Sequence, residues 1–409
     1  MRARWGRSSA HRWPLAIFTA LRRARWSNCE IQHTTQERNI LLNDRRKSLF
    51  VPEKIDALRP FSAPLLAWYG ANARRLPWRV LPTPYRVWVS EIMLQQTRVE
   101  AVVPYYERFL AALPDLPALA RAPEDRLLKL WEGLGYYSRV RNMQKAAQAV
   151  VLAGGTNLPG SYEALRALPG IGPYTAGAVA SIAFGIPVPA VDGNVLRVLA
   201  RLLACREDIA LPQVKRAFEQ AAAALLLREC PGDFNQAMME LGATVCLPNA
   251  APRCADCPVR AFCAAARAGN APDYPYKSPK KPRVVEERTV FVVVAEHTVL
   301  LRRRAGKGLL AGMWELPNLA GWLSAEETGA VLAGWGMPEA ETRALGDGKH
   351  IFSHIEWRMK GLLALPHACP PVEDGVWANA ADLAERYALP SAFRPYARLL
   401  LELLARDGM

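Results

Sequence analysis

Four cysteines lie within eighteen residues of a 409-residue chain that has eight cysteines in all: Cys246, Cys254, Cys257 and Cys263. Thiolates grouped in this way bind zinc or an iron–sulfur cluster. The Cys254-x2-Cys257 spacing lets two thiolates reach one centre. Zinc ribbons usually present two such pairs, whereas this segment has one pair between two single cysteines, so the spacing leans towards a cluster. A disulfide framework is disfavoured because the chain is large and shows no secretion signal.

A second candidate site is the glycine-hinged turn Leu168-Pro-Gly-Ile-Gly-Pro173. Gly170 and Gly172 let the backbone approach a ligand closely, and the helix that follows offers free N–H groups to an anion such as a DNA phosphate. The same turn is also compatible with an ordinary helical hairpin. Asp192, in the turn Val191-Asp-Gly-Asn194, favours the functional interpretation. It also fits the N-cap of a helix that begins near Val195, and the two roles are compatible.

Histidine is absent between His33 and His297. The region between them therefore has no imidazole to act as a general base, nucleophile or metal ligand. Its chemistry must come from carboxylates, Tyr, Lys or Cys. Cleavage of a sugar–base bond fits this limit, because carboxylates can protonate the leaving group and stabilise an oxocarbenium-like centre.

The elements that position these residues are predicted to be helical from about Phe61 to Ala268. Apolar residues recur three and four positions apart in Ala63–Tyr69, Trp88–Leu94, Arg126–Trp131, Met143–Val151 and Val195–Leu203. Residues Ala167–Val191 carry no charge and are long enough to span a bilayer, but their prolines and glycines would break a lipid-exposed helix. We expect a turn, a buried helix over about Thr175–Phe184, and a second turn.

The pattern changes after a segment rich in proline and lysine, which is typical of a stiff basic linker. Runs of β-branched or alternating residues predict strands over Thr289–Ala295, Val299–Arg303 and Trp357–Leu365. Ala325–Trp335 and Ser391–Ala405 are predicted to be helical. The predicted domains are a basic, disordered extension (1–57), a helical domain (58–245), the cysteine loop (246–268), the linker (269–288) and a small α/β domain (289–409).

The formal net charge of +14 is unevenly distributed. Residues 1–50 hold ten Arg and one Lys against three acidic residues, so the rest of the chain is only moderately basic. That balance suits a protein that touches nucleic acid along one face. For the first fifty residues we favour a disordered arm, or sequence upstream of the true start, over a transit presequence.

Five segments, in this order and spacing, carry a resemblance to a known family: Ser90–Thr97, Gly133–Tyr137, Leu168–Thr175, Val191–Arg197 and the cysteine loop. They resemble the MutY-type adenine DNA glycosylases of the helix-hairpin-helix superfamily, which also includes endonuclease III. The resemblance is close over residues 58–268 and looser beyond them. It implies an all-α glycosylase domain with a [4Fe-4S] cluster loop, followed by an α/β domain.

The resemblance also implies catalytic roles. Glu91 would be the general acid that protonates adenine N7 and later helps to activate water; its apolar neighbours favour the protonated acid. Asp192 would stabilise positive charge at the sugar C1′ or attack it transiently, and Asn194 would orient Asp192 or water. Tyr174 stands where bifunctional relatives carry the lysine that forms a Schiff base, and a phenol cannot form an imine. Base excision without an efficient strand-cutting step is therefore expected.

Further residues would contact DNA. Trp78 and Arg79 resemble residues that line the adenine pocket, although Trp78 and Tyr136 could instead be core aromatics. Gln96 and Tyr136 resemble the wedge that fills the base stack once adenine has flipped out. Thr97, Gly170 and Gly172 complete the predicted DNA-binding set of this region.

The tail resembles a Nudix-like domain, which in this family reads 8-oxoguanine opposite the target adenine. Within His350–His354, Phe352 would support the loop, while Ser353 and His354 would contact the damaged base or its phosphate. A true Nudix hydrolase needs a glutamate-rich helix for magnesium. Residues Gly312–Pro317 are not followed by one, so this domain is expected to read a base and not to hydrolyse nucleotides.

The expected function is removal of adenine from A:8-oxoguanine or A:G mispairs in double-stranded DNA. The alternatives are an endonuclease III-like glycosylase/lyase acting on oxidised pyrimidines, and a non-catalytic DNA-binding iron–sulfur protein. One departure from the family concerns the cluster: seven residues separate Cys246 from Cys254, where six are common. We expect a monomer without membrane contact, located in the cytoplasm with the nucleoid and with downstream repair proteins as further partners.

Overall fold

The computed structural model describes residues 49–248, 251–279 and 282–405. Up to residue 48, the predicted basic extension lies outside the described residues. Residues 49–57 do not behave as an extension, since Phe50 and Ile55 are buried in the core. The helical region therefore begins before residue 58, because burial of these two apolar side chains in the core attaches the segment to it.

The helices have the following bounds: α1 (Pro52–Asp56), α2 (Ser62–Asn72), α3 (Pro77–Val80), α4 (Pro84–Met93), α5 (Val99–Ala112), α6 (Leu116–Arg121), α7 (Glu124–Leu130), α8 (Ser138–Leu152), α9 (Tyr162–Arg166), α10 (Pro173–Phe184), α11 (Gly193–Leu202), α12 (Pro212–Leu225), α13 (Pro231–Thr244), α14 (Ala264–Arg267), α15 (Ala325–Gly334), α16 (Ala380–Glu385) and α17 (Arg394–Ala405). The strands are β1 (Val284–Ala295), β2 (Thr298–Arg303), β3 (Trp314–Glu315), β4 (Asn318–Ala320), β5 (Glu341–Ile351), β6 (Ile355–Leu365) and β7 (Gly375–Ala378).

The chain forms two compact units. The first comprises the described parts of residues 1–87, 160–166 and 172–278, and the second comprises residues 88–159, 167–171 and 279–409 as far as they are described. This division differs from the domain boundaries expected from the sequence. Each unit is defined by contacts between segments that are distant in the sequence, whereas each predicted domain is one continuous stretch of the chain.

The core of the first unit is helical. Phe50 packs on Phe218 and Phe61 on Phe234, with ring centroids 4.9 and 5.9 Å apart. Helix α10 is buried over most of its length, as expected for a helix that is apolar on all sides. The buried helix predicted over Thr175–Phe184 is confirmed and begins two residues earlier.

In the second unit, helices of residues 88–159 pack beside a seven-stranded mixed sheet. The sheet has the order β3-β2-β1-β6-β5, with β4 also pairing with β1 and β7 with β2. Strands β1 and β6 run parallel, whereas β5 and β6 form an antiparallel pair. Alternate residues of β1 serve opposite faces: Val290 and Val292 join a core that includes Tyr396 of α17, and Phe291 and Val293 join a core that includes Leu332 of α15.

The three predicted strands and two predicted helices of the α/β domain are confirmed, with one difference at the linker. Residues 284–288, which we assigned to the linker, form the first part of β1 and pair with β6 from Val284 onwards. Strand β5 was not predicted, because most of its side chains are exposed and no apolar alternation marks it. No helix in the described part of the chain is both long and apolar enough to cross a membrane.

Candidate functional site

Asp192 is the N-cap of α11 in the first unit. Its Oδ1 accepts a hydrogen bond from the Val195 backbone N–H at 2.8 Å, and its Oδ2 accepts one from Asn194 Nδ2 at 2.6 Å. The Asp192 carboxyl therefore makes the predicted helix cap and the predicted contact with Asn194 at the same time. It leaves the carboxyl in a fixed orientation at the start of a helix, where the helix dipole favours an anion.

The pKa of Asp192 is raised, and burial is the main cause. The hydrogen bonds from Val195 and Asn194 and the charge of Arg197 act in the opposite direction but do not cancel the effect of burial. Desolvation penalises the charged carboxylate. The ionised form of Asp192 is thus held at a free-energy cost, as is common for groups that perform chemistry.

Arg197 extends this arrangement towards the cysteine loop. Its guanidinium donates to Asn194 Oδ1 at 2.9 Å, to the Gly242 carbonyl at 2.7 Å and to the Cys246 carbonyl at 2.7 Å. A Cβ added to Gly242 would lie 2.6 Å from the Asn194 Cβ, so only glycine permits this approach of α13 to α11. We assigned Arg197 no role from the sequence, because an arginine on a helix is most often a surface residue.

The glycine-hinged turn has the predicted local geometry. Gly170 has a φ of +74°, and an added Cβ would lie 2.6 Å from the Asn142 Cβ of α8, so a side chain is excluded on both counts. Gly172 is the N-cap of α10. The hydroxyl of Tyr174, in the first turn of that helix, donates a long contact of 3.9 Å to Met239 Sδ.

Glu91 belongs to the second unit. It lies in the last turn of α4, and only 6% of the residue is exposed to solvent. Its neighbours in the sequence, Ser90, Ile92 and Met93, are buried as well. A carboxyl in this setting is removed from bulk water, as the apolar neighbours in the sequence suggested.

Gln96 and Tyr136, also in the second unit, share an unusual backbone. Both lie in the left-handed region, with φ of +61° and +48°, and both are exposed. Such a conformation costs about 1–3 kcal/mol for a residue other than glycine. Thr97, which follows Gln96, is partly buried.

Trp78 and Arg79 lie in the first unit, and Arg79 is partly buried. Trp78 is buried, and Arg79 donates to Glu240 Oε2 at 2.9 Å, while Arg74 donates to Glu240 Oε1 at 2.8 Å. Burial alone would raise the pKa of Glu240, but the two arginines outweigh it and lower the pKa to about 2. These contacts fit a structural role for Arg79, and a place in an adenine pocket remains a prediction.

The loop between β5 and β6 carries Phe352, Ser353 and His354. Phe352 turns inward and packs on Trp357 and His350, with ring centroids 5.0 and 4.5 Å away. Ser353 and His354 are exposed. The Ser353 hydroxyl forms a 2.9 Å hydrogen bond with the Tyr136 hydroxyl, which brings together two residues that we had predicted separately.

The four cysteines of the loop line a single cavity, together with Arg201, Arg253 and Arg260. Arg201 Nη1 donates to Cys246 Sγ at 3.1 Å. Burial raises the pKa of Cys257 to about 11, and the three neighbouring thiols add to this increase. Among the described residues, no three His, Cys, Asp or Glu side chains are arranged to hold a metal ion.

Comparison with known proteins identifies the class. Residues 89–223 match the family described as HhH-GPD superfamily base excision DNA repair protein, and residues 289–399 match the NUDIX domain. The chain is thus a helix-hairpin-helix base excision repair protein with a C-terminal NUDIX domain.

The curated relatives specify the family further. The chain is 36% identical over 400 residues to the adenine DNA glycosylase of Mus musculus, covering 82% of this chain and 78% of the relative. It is 35% identical to that of Homo sapiens (78% and 70% covered) and 33% identical to that of Schizosaccharomyces pombe (79% and 86% covered). The chain belongs to the adenine DNA glycosylase family, and its activity is excision of adenine in base excision repair. The first of our three functional hypotheses is confirmed.

Proposed function

We propose that this glycosylase acts on adenine opposite 8-oxoguanine or guanine and hydrolyses the N-glycosidic bond to leave an abasic site. The observation that carries the proposal is the partly buried Asp192 carboxyl, fixed by Val195 and Asn194 at the start of α11. A carboxyl whose ionised form is costly gains most when positive charge develops beside it.

In the proposed reaction, Glu91 gives its proton to adenine N7, which makes the base a better leaving group. The bond between adenine and C1′ breaks, and Asp192 stabilises the cationic sugar or bonds to it transiently. Water then adds to C1′, and its proton goes to Glu91. Asn194 keeps Asp192 oriented through the 2.6 Å hydrogen bond.

Adenine must leave the stack before this chemistry can begin, and flipping costs a few kcal/mol. Gln96 and Tyr136 are the proposed wedge, because both are exposed side chains on turns with a left-handed backbone. The turn containing Gly170 and Gly172, with the N-terminus of α10, is the proposed phosphate contact. Thr97 is proposed as a further DNA contact, and Trp78 and Arg79 are proposed to line the adenine pocket.

The proposed enzyme cuts no strand. Tyr174 occupies the position from which a lysine would attack the sugar aldehyde, and its phenol has no amine to form an imine. Excision should therefore end at the abasic site.

The NUDIX domain is proposed to read the base opposite adenine through Ser353 and His354. Their exposure, and the inward packing of Phe352, support this role. Two acidic residues lie in or after Gly312–Pro317, where a Nudix hydrolase would bind magnesium, and both make structural contacts. Glu315 is paired with Arg304 at 2.8 Å, and Glu327 accepts a hydrogen bond from the Ser324 N–H in a capping box. Both contacts support a domain that recognises a base over one that hydrolyses nucleotides.

A [4Fe-4S] cluster is proposed for Cys246, Cys254, Cys257 and Cys263. The residues fit the group, since four thiols share one cavity and the Arg201 guanidinium is placed to offset thiolate charge. A cluster spreads its ligands over several iron atoms, so the sulfurs need not converge on one point. Iron and sulfide analysis of the purified protein should give about four iron atoms per chain, and Cys254→Ser should lose them while Cys205→Ser should not.

For partners and location, the proposal is a monomer that works on genomic DNA in the cytoplasm, followed by enzymes that process the abasic site. Size-exclusion chromatography with light scattering would test the monomer.

The experiment for the activity uses duplexes containing A:8-oxoguanine, A:G, A:T and an oxidised pyrimidine, with strands compared before and after alkali. Release of adenine from the two mispairs, with breaks only after alkali, is the expected result. Glu91→Gln should bind the mispair and release no adenine, while Glu163→Gln, at an exposed position of α9, should behave as the wild type. Strand breaks before alkali would contradict the assignment of Tyr174.

A further inference from the structure

Arg139, near the start of α8, binds two turns of the second unit at once. Its guanidinium donates to five backbone carbonyls, two of them at 3.0 Å on one side and three at 2.8–3.2 Å on the other. The carbonyls belong to Leu134 and Gly135 on the first turn and to Ile92, Met93 and Gln95 on the second. The second group lies at and just beyond the C-terminal end of α4, where helix carbonyls need donors.

The accepting carbonyls stand directly before the two residues with a left-handed backbone. The Gln95 carbonyl precedes Gln96, and the Gly135 carbonyl precedes Tyr136. A bond to the preceding carbonyl fixes the peptide plane that sets φ of the next residue. One side chain therefore constrains both unfavourable conformations.

We propose that Arg139 is a positioning residue that holds Gln96 and Tyr136 together in the conformation required to enter the base stack. The inference rests on the proposed function, because it assigns a purpose to the two exposed side chains. Arg139 itself need not touch DNA.

Arginine suits this position better than lysine does. A planar guanidinium offers donors in a fixed fork, so Nη1 can serve one turn while Nη2 serves the other; a lysine ammonium is a point donor on a flexible stem. The guanidinium also lies over the Trp131 ring and the Tyr136 ring, 5.3 and 5.7 Å from their centroids. Burial lowers the pKa of Arg139 to about 10, which leaves it charged at neutral pH.

The test compares Arg139→Lys with the wild type on two substrates under single-turnover conditions. The first is an ordinary A:8-oxoguanine duplex. The second has mismatched neighbours on both sides of the pair, so that adenine is already unstacked and a wedge is not needed. We expect a loss of about 100-fold on the first, as for a misplaced catalytic constellation, and a rate near that of the wild type on the second.

Arg141→Lys is the matched control. It lies two residues along the same helix and bonds to Glu124 and the Ala311 carbonyl, so it contacts neither turn. It should behave as the wild type on both duplexes. Where Arg139→Lys fails to fold, Arg139→Gln, which keeps two N–H donors, is the second variant.

A fluorescent adenine analogue at the target position gives an independent readout of flipping. Arg139→Lys should reduce its fluorescence rise on binding to the ordinary duplex. An equal loss of rate on both duplexes, or no loss on either, would overturn the proposal. If the wild type releases no adenine from any duplex, the proposed function fails instead, and the two failures are distinguishable.

Discussion

Two carboxylates of the first unit, the buried Glu240 and the partly buried Asp192, differ in the direction of their pKa shifts. Both Asp192 and Glu240 lose water, yet the pKa of Asp192 is raised and that of Glu240 is lowered to about 2. Glu240 accepts from two arginines, Arg74 and Arg79. Asp192 accepts mainly from amide groups, because Arg197 directs its guanidinium to Asn194 and to carbonyls.

The comparison shows that burial alone does not set the role of an acid. Full compensation by arginine gives a carboxylate that stabilises the fold, as for Glu240. Partial compensation by amides leaves an acid whose charge is costly until positive charge appears beside it, as proposed for Asp192. The two sites should therefore respond oppositely to substitution.

The largest effect is expected for Asp192→Asn. Excision should fall by about 10²–10⁴-fold, while the fold should lose little, because asparagine caps a helix as well as aspartate. The raised folded pKa means that protonated Asp192 contributes stability at low pH, and that this is lost as pH rises through the folded pKa. The melting temperature of the variant, relative to the wild type, should thus rise as the pH increases from the unfolded aspartate pKa of about 4 through the raised folded pKa. A variant that melts well below the wild type at pH 8 would contradict this account.

Glu240→Gln should give the converse result. Removing one partner of a buried ion pair costs about 3–5 kcal/mol, although glutamine keeps some of the hydrogen bonds. Urea unfolding should show the loss. Excision at a permissive temperature should fall far less than in Asp192→Asn, and any loss would act through Arg79, which Glu240 holds. Since the folded pKa is depressed, the stabilisation is present above the unfolded pKa and is lost as pH falls towards about 2. The gap between variant and wild type should close over that range.

Asn194→Ala sharpens the contrast by weakening the compensation at Asp192. Losing the 2.6 Å hydrogen bond removes a donor that favours the charged form, so the pKa of Asp192 should rise further. The acidic limb of the rate profile should move to higher pH, with a loss of about tenfold near that limb. Asn157→Ala, at an exposed position, is the control and should not shift the profile.

The smallest effect is expected for the exposed pair Tyr136 and Ser353 in the second unit. Tyr136→Phe keeps the aromatic ring but removes the hydrogen bond with Ser353. If that bond aligns the reading loop, the preference for A:8-oxoguanine over A:G should fall a few-fold, since a hydrogen bond contributes about 1 kcal/mol. Ser353→Ala should produce the same change, and the double variant no further one. An additive double variant would indicate independent roles.

Much of the architecture followed from the sequence. Apolar residues at helical spacing predicted the helical region, and alternation predicted three strands of the C-terminal domain. The Asp192 turn predicted a helix cap, because short-range geometry depends on neighbouring residues. Strand β5 was missed, since its exposed side chains give no apolar period.

The sequence by itself determined which groups are available: carboxylates without histidine, four clustered thiols, two glycine turns and a tyrosine in place of a lysine. Only the tertiary structure decided which residues contact these groups. Arg139 reaches residues more than forty positions away, and Arg197 joins Asn194 to the Cys246 carbonyl. Such contacts depend on how the helices pack, because a hydrogen bond requires its donor and acceptor to lie about 3 Å apart. The separation of two residues along the chain does not determine their distance in space.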